Sequence, residues 1–124
     1  MPVYEIVTAG GNEYFLAHSG YNADYDVFHS GMGLIDIKES VDQAVKADQE
    51  RYLFSNDIHY IPAVLKFDRK IIVGHYPTVL IPGHEMYSVF YGEKFFDIDT
   101  GNERRDEGGR LACLRLDDGK EFYI

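Results

Sequence analysis

The chain has no tryptophan, one cysteine, four prolines and no long apolar run in its 124 residues. A single cysteine excludes an internal disulfide, and no CxxC or Cys/His spacing of a structural zinc site is present. Without an apolar stretch of about twenty residues, no membrane-spanning helix is expected. Basic residues are scarce: 12 Lys and Arg face 21 Asp and Glu, a formal net charge of −9. Nucleic acids and anionic membranes are bound through an excess of Lys and Arg, so neither is an expected partner. A phosphorylated substrate held at a metal stays compatible, because the ion's own charge dominates locally. The stretch Met1-Pro2-Val3-Tyr4-Glu5 has neither the basic start nor the apolar run of a secretory signal, and a cytoplasmic protein is expected.

What is present is aromatic and apolar. Ten Tyr, eight Phe and 45% hydrophobic residues supply enough apolar surface for an ordered core. The length fits one domain over residues 1–124. Cys113 lies in the apolar run Leu111 to Leu116 and is expected in the core. No internal repeat is visible.

Strands are expected at residues 3–8 and 13–17, as a hairpin over the Gly10-Gly11-Asn12 turn. Residues 19–34 read as a long loop rich in Gly, Asn and Asp. A helix follows at about residues 38–53, with Asp36 to Glu39 or Ser40 to Gln43 as its capping box and Val41, Ala44, Val45 and Tyr52 on its apolar face. Residues 70–74 form a continuous apolar run, the mark of a central strand. Further strands are expected at 86–91 and 95–99, and residues 102–109 read as a charged loop. Residues 110–116 and 121–124 read as a hairpin over Asp117-Asp118-Gly119.

Two histidines stand out. His18 closes Tyr14-Phe15-Leu16-Ala17-His18-Ser19-Gly20, and His75 closes Ile71-Ile72-Val73-Gly74-His75-Tyr76-Pro77-Thr78. Each follows an apolar strand and has a glycine close by, so each puts an imidazole at a strand end, where α/β proteins build their sites. A neutral imidazole ligates manganese, iron or zinc through one ring nitrogen. Two imidazoles fall short of the three protein ligands of a catalytic centre. The other histidines, His29, His59 and His84, read as loop residues. Asp57 and His59 mimic a metal motif, Asp-Ile-His, but Tyr60 replaces the glycine that close backbone approach needs, and they read as a coincidence. Asp99 and Thr100 read as a turn that bonds its own backbone, and Asp117 and Asp118 as the hairpin turn.

In this order the two histidine segments and the tail resemble the C-terminal half of bacterial calcineurin-like metallophosphoesterases of the serine/threonine phosphatase type. The tail pieces are Phe95-Phe96-Asp97-Ile98-Asp99-Thr100-Gly101 and the run from Gly108 to Ile124. The resemblance implies an α+β fold: a mixed, mainly antiparallel sheet with one main helix, equivalent to the C-terminal half of the metallophosphoesterase sandwich. It implies that His18 and His75 ligate one divalent metal (Mn, Fe or Zn) of a binuclear centre. Asn56 and Tyr76 fall at substrate-binding positions. The family's phosphate-gripping arginine is replaced by Asn56, the threonine of its Gly-His-Thr-Pro by Tyr76, and the charged stretch 102–107 is longer than the family's. The N-terminal metal motifs of the family are missing. The implied function is the C-terminal part of a metal-dependent phosphatase acting on a phosphoprotein, inactive alone. The alternative is a stand-alone binding or regulatory module. A missing N-terminal half, or a homo-oligomer covering the apolar sheet face that half would cover, is the expected partner.

Overall fold

The computed structural model describes residues 3–29, 33–62 and 64–124, and residues 30–32 of the expected loop lie outside the described residues. In chain order the strands are β1 (Tyr4–Ala9), β2 (Asn12–Ala17), β3 (Leu34–Ile35), β4 (Lys66–Phe67), β5 (Lys70–Val73), β6 (Phe90–Tyr91), β7 (Phe95–Asp97), β8 (Ala112–Leu114) and β9 (Glu121–Tyr123), with one α-helix, α1 (Ile37–Leu53). Five strands form a sheet in the order β1-β2-β5-β7-β6. Its edges are antiparallel hairpin-type pairs, β1 with β2 and β6 with β7, while β2, β5 and β7 run parallel through the centre. This is the expected α+β class, with a mixed sheet and one main helix.

Side-chain alternation along these strands gives the sheet two faces. The register Phe15–Ile71–Phe95 puts three buried apolar residues in one row. Helix α1 packs over this face with Val41, Ala44 and Tyr52, and Tyr21, Ile35, Ile37 and Ile58 complete the core. The helix starts where Asp36 accepts the Glu39 N–H at 3.1 Å, the first of the two expected caps. Its last turn is fixed by Ser19, whose hydroxyl donates to the Leu53 carbonyl at 2.5 Å. Residue 20 must be glycine: its φ is +82°, and a Cβ there would stand 2.6 Å from Val73 Cγ1.

The opposite face carries the row Leu16–Ile72–Phe96. The β8–β9 hairpin is tied to two edges of the sheet. Tyr91 on edge strand β6 donates to Glu121 at 2.6 Å, while at the β1–β2 turn a Cβ on Gly10 would meet the Asp117 carbonyl at 3.4 Å. The hairpin corrects the placement of Cys113, which is exposed: the half-buried residues of β8 are Ala112 and Leu114, and alternation turns the thiol between them outward.

Further expectations change, and the strand expected over 95–99 ends at Asp97. The strand expected at 86–91 is only Phe90–Tyr91. Upstream of it, the Tyr87 carbonyl accepts from Arg110 and the Val89 N–H donates to the Tyr123 hydroxyl, so side chains satisfy backbone groups that a ladder would otherwise use. The charged stretch coils into 3-10 turns over Asn102–Glu107, closed at each end by a left-handed glycine, Gly101 and Gly108. Among the described residues no helix is long and apolar enough to cross a membrane.

Candidate functional site

The three parallel strands end on the same side of the sheet. β2 delivers His18 one residue past its end, β5 delivers His75 after Gly74, and β7 ends at Asp97, two residues before Asp99. The Gly74 N–H donates to the His18 carbonyl at 3.1 Å, and the Ile98 N–H to the Val73 carbonyl at 2.9 Å, which locks the three ends together. His18 Nε2 and His75 Nδ1 consequently lie 2.9 Å apart although 57 residues separate them in sequence. His75 adopts φ +50°, a left-handed conformation unusual for a residue with a Cβ.

His18, Asn56, His59, His75 and Tyr76 line one narrow crevice together with Ser55, closed so tightly that it has no room for a water molecule. His59 comes from the 3-10 turn Asp57–Tyr60. Its ring lies 4.5 Å from that of Tyr76 and 5.0 Å, edge-on, from that of Phe95. Its Nε2 is 3.8 Å from Asp97 Oδ2. Asp97 is 0% exposed. Its Oδ1 accepts the Asp99 N–H at 2.9 Å, while Oδ2 has no hydrogen-bond partner among the described residues.

The electrostatics follow from this burial. Desolvation pushes the Asp97 carboxyl up to about 8; the Asp99 N–H works against the rise and the Asp99 carboxylate adds to it. Desolvation, with His75 beside it, pushes His59 down to about 4. His18 is shifted down by burial first and by His75 second, against the pull of Asp99. His18 and His59 are thus held in the neutral form that binds metals.

The remaining sequence candidates have local duties. Asp57 accepts the Ala23 N–H at 2.8 Å, so it ties a loop and stays out of the crevice that His59 enters. His84 bonds Ser88, and Asp99 Oδ1 accepts the Gly101 N–H as a turn residue. His29, read as a loop residue, sits 3.0 Å from Asp68 at the start of α1, away from His18. Among the described residues, the one trio of His, Cys, Asp or Glu donor atoms mutually within 4.8 Å is His29, Asp36 and Asp68. Two of its members are already engaged: Asp36 caps the helix and Asp68 accepts the Ile37 N–H. The positive end of the helix dipole there also disfavours a cation. Among the described residues no third donor of these types joins His18 and His75 within the same limit.

The contact between His18 Nε2 and His75 Nδ1 is a hydrogen bond in which one ring donates to the other, and its length is also one that two ligands of a divalent ion can have. Ligands about 2.1 Å from one metal stand about 3.0 Å apart at a right angle, close to the 2.9 Å between them. Sequence reasoning found both residues from their place after apolar strands. It missed Asp97, although period-2 alternation puts Asp97 on the same face as buried Phe95. Comparison with family models, curated proteins and solved structures returns no match for this chain.

Proposed function

We propose that this chain supplies the His18 and His75 ligands of a divalent-metal centre for phosphomonoester hydrolysis, as the C-terminal part of a calcineurin-like phosphatase of the serine/threonine type, and that alone it is inactive. The observation that carries the reading is the meeting of His18 Nε2 and His75 Nδ1 at 2.9 Å across two parallel strand ends. A bound Mn, Fe or Zn ion would polarise a phosphoryl oxygen and lower the pKa of its water. His18 presents a neutral ring to it, and Asn56 and Tyr76 on the crevice wall offer uncharged hydrogen bonds to a phosphate. Asn56 cannot replace the bidentate, charged grip of an arginine. With two donors where at least three are needed, the remaining ligands come from an N-terminal half or from a second copy of the chain. The substrate class is a phosphoprotein, and the compartment is the cytoplasm.

The alternative, a non-catalytic binding module, is favoured by one feature. An open apolar groove beside His18 is lined by Leu16, Leu53, Phe54, Ile72 and Ile98, a surface suited to a partner chain. Manganese titration by calorimetry, with p-nitrophenyl phosphate hydrolysis followed in parallel, tests the proposal. Manganese binding that His75→Ala abolishes, in a variant that still folds, with no turnover by the chain alone, is the expected result. Binding unaffected by His18→Ala and His75→Ala would remove the reading.

A further inference from the structure

We infer that the cleft at the opposite end of the sheet from His18 and His75 is a binding site for a small phosphorylated molecule, held chiefly by Lys66 and Lys70. It uses no residue of the proposed metal centre, so the two readings fail separately.

The first argument is topology. β2, β5 and β7 run parallel, so their starts gather at one end as their finishes gather at the other. Three chain segments meet there: Asn12 to Tyr14 opening β2, Lys66 to Lys70 running from β4 into β5, and Glu93 with Lys94 just before β7. Between them lies a cleft of about 530 Å³. Small-molecule sites commonly occupy about 300–1,000 Å³.

The second argument is charge. The chain has only 12 Lys and Arg and a formal net charge of −9. Four of those cations, Lys66, Arg69, Lys70 and Lys94, nevertheless line this one cleft. Three carboxylates line it too, and two of them already hold partners. Arg69 pairs with Glu13 and lies 3.9 Å from Asp68. Asp68 also accepts the Ile37 N–H at 3.1 Å and faces the His29 ring at 3.0 Å. The third, Glu93, is exposed, where solvent and salt screen its charge. Among the described residues neither Lys66 nor Lys70 has an ion-pair partner. In so acidic a chain, lysines without carboxylates around one cavity mark a place for an anion from outside.

The third argument is the kind of cation and how it is held. Lys70 is half-buried. Its Nζ donates to the Glu93 carbonyl at 3.2 Å and lies 4.8 Å from the centre of the Phe96 ring. A neutral carbonyl and a ring fix this ammonium without cancelling its charge, so less rotamer freedom is lost when an anion arrives. Tyr14, level with Lys70 in the β2–β5 pairing, adds a neutral hydroxyl to the lining. A planar carboxylate is best met by an arginine fork, and the Arg69 fork is committed to Glu13 and Asp68. The lysines are point charges, which suit the tetrahedral oxygens of a phosphate. So few ammonium groups do not serve a nucleic acid, whose affinity grows with the number of phosphates neutralised.

Amide NMR titration of the full, metal-free chain with inorganic pyrophosphate at low salt tests this, with citrate as the carboxylate control. The amides of Asn12 to Tyr14, Lys66 to Lys70 and Lys94 are expected to shift with one common affinity, while those beside His18 and His75 stay still. Citrate should bind about tenfold more weakly, and Lys66→Gln and Lys70→Gln should each weaken pyrophosphate about tenfold. Lys66 is exposed, so its variant tests the cleft even where Lys70→Gln disturbs the sheet. His18→Ala and His75→Ala should leave the affinity unchanged. No shifts up to millimolar pyrophosphate overturn the inference, as do shifts confined to the His18–His75 end or an unchanged affinity in Lys66→Gln. Citrate binding as tightly as pyrophosphate overturns the assignment to a phosphorylated ligand.

Discussion

At the residue scale, a few side chains decide what the crevice does, and Asp97 has the clearest signature in solution. Its carboxyl is raised from an ordinary aspartate value to about 8, so the fold favours its protonated form. That contribution is complete below the unfolded-state pKa and disappears as pH rises through about 8. His59, lowered to about 4, acts in the opposite sense, but only below its ordinary value of 6.5. Between about pH 6.5 and 8 Asp97 therefore acts without opposition from His59. In chelator-treated protein the thermal midpoint should fall across that window, by at most about 2 kcal/mol of stability, and Asp97→Asn should flatten the slope. A wild-type midpoint that does not change between pH 6.5 and 8 would refute the burial argument. His18 and His75 were legible in the sequence because each follows an uninterrupted apolar strand and has a glycine close by. Asp97 and His59 were not. The aspartate lies inside the strand expected over 95–99, and only its phase with Phe95 betrays its burial. His59 was set aside with Asp57 as a pair, whereas the 3-10 turn separates the two, sending Asp57 to the Ala23 N–H and His59 into the crevice.

At the element scale, the sheet and helix follow from patterns visible in the chain, and the exceptions have local causes. The β1–β2 hairpin, the central apolar strand, α1 and the β8–β9 hairpin all stand where periodicity and turn residues put them. The strand expected over 95–99 stops at Asp97 because its own side chain captures the Asp99 N–H. The strand expected over 86–91 shortens because Arg110 and Tyr123 reach its backbone from distant positions, which no local pattern reveals. Two substitutions test the element ends. Asp36→Ala removes the cap of α1 and should cost about 1 kcal/mol in urea unfolding. Gly20→Ala meets both a left-handed φ and the Val73 side chain, and should cost about 1–3 kcal/mol or more. A neutral Gly20→Ala would show that the loop after β2 does not lie against β5 as described. The same variant should weaken metal binding, since residue 20 lies two positions beyond His18.

At the scale of the whole molecule, the parallel core of the sheet explains why the site lies at one end. Parallel neighbours finish side by side, so residues just past β2, β5 and β7 converge without any long excursion of the chain. The same end carries the apolar groove of Leu16, Ile72 and Ile98. Sedimentation at micromolar concentration should report a dimer or larger species that dissociates on Phe54→Glu, since Phe54 is 66% exposed on the groove wall. A strictly monomeric wild type would assign the groove to a different chain. The ligand count leads to the same expectation, because two donors do not close a metal centre. The most direct test is a crystal of the full chain soaked in manganese or zinc, with anomalous difference density collected at the metal's absorption edge. A peak bonded to both His18 Nε2 and His75 Nδ1 is the expected result. A fully soaked crystal with no peak at that position, and the two rings still hydrogen-bonded to each other, would contradict the assignment of His18 and His75 as metal ligands.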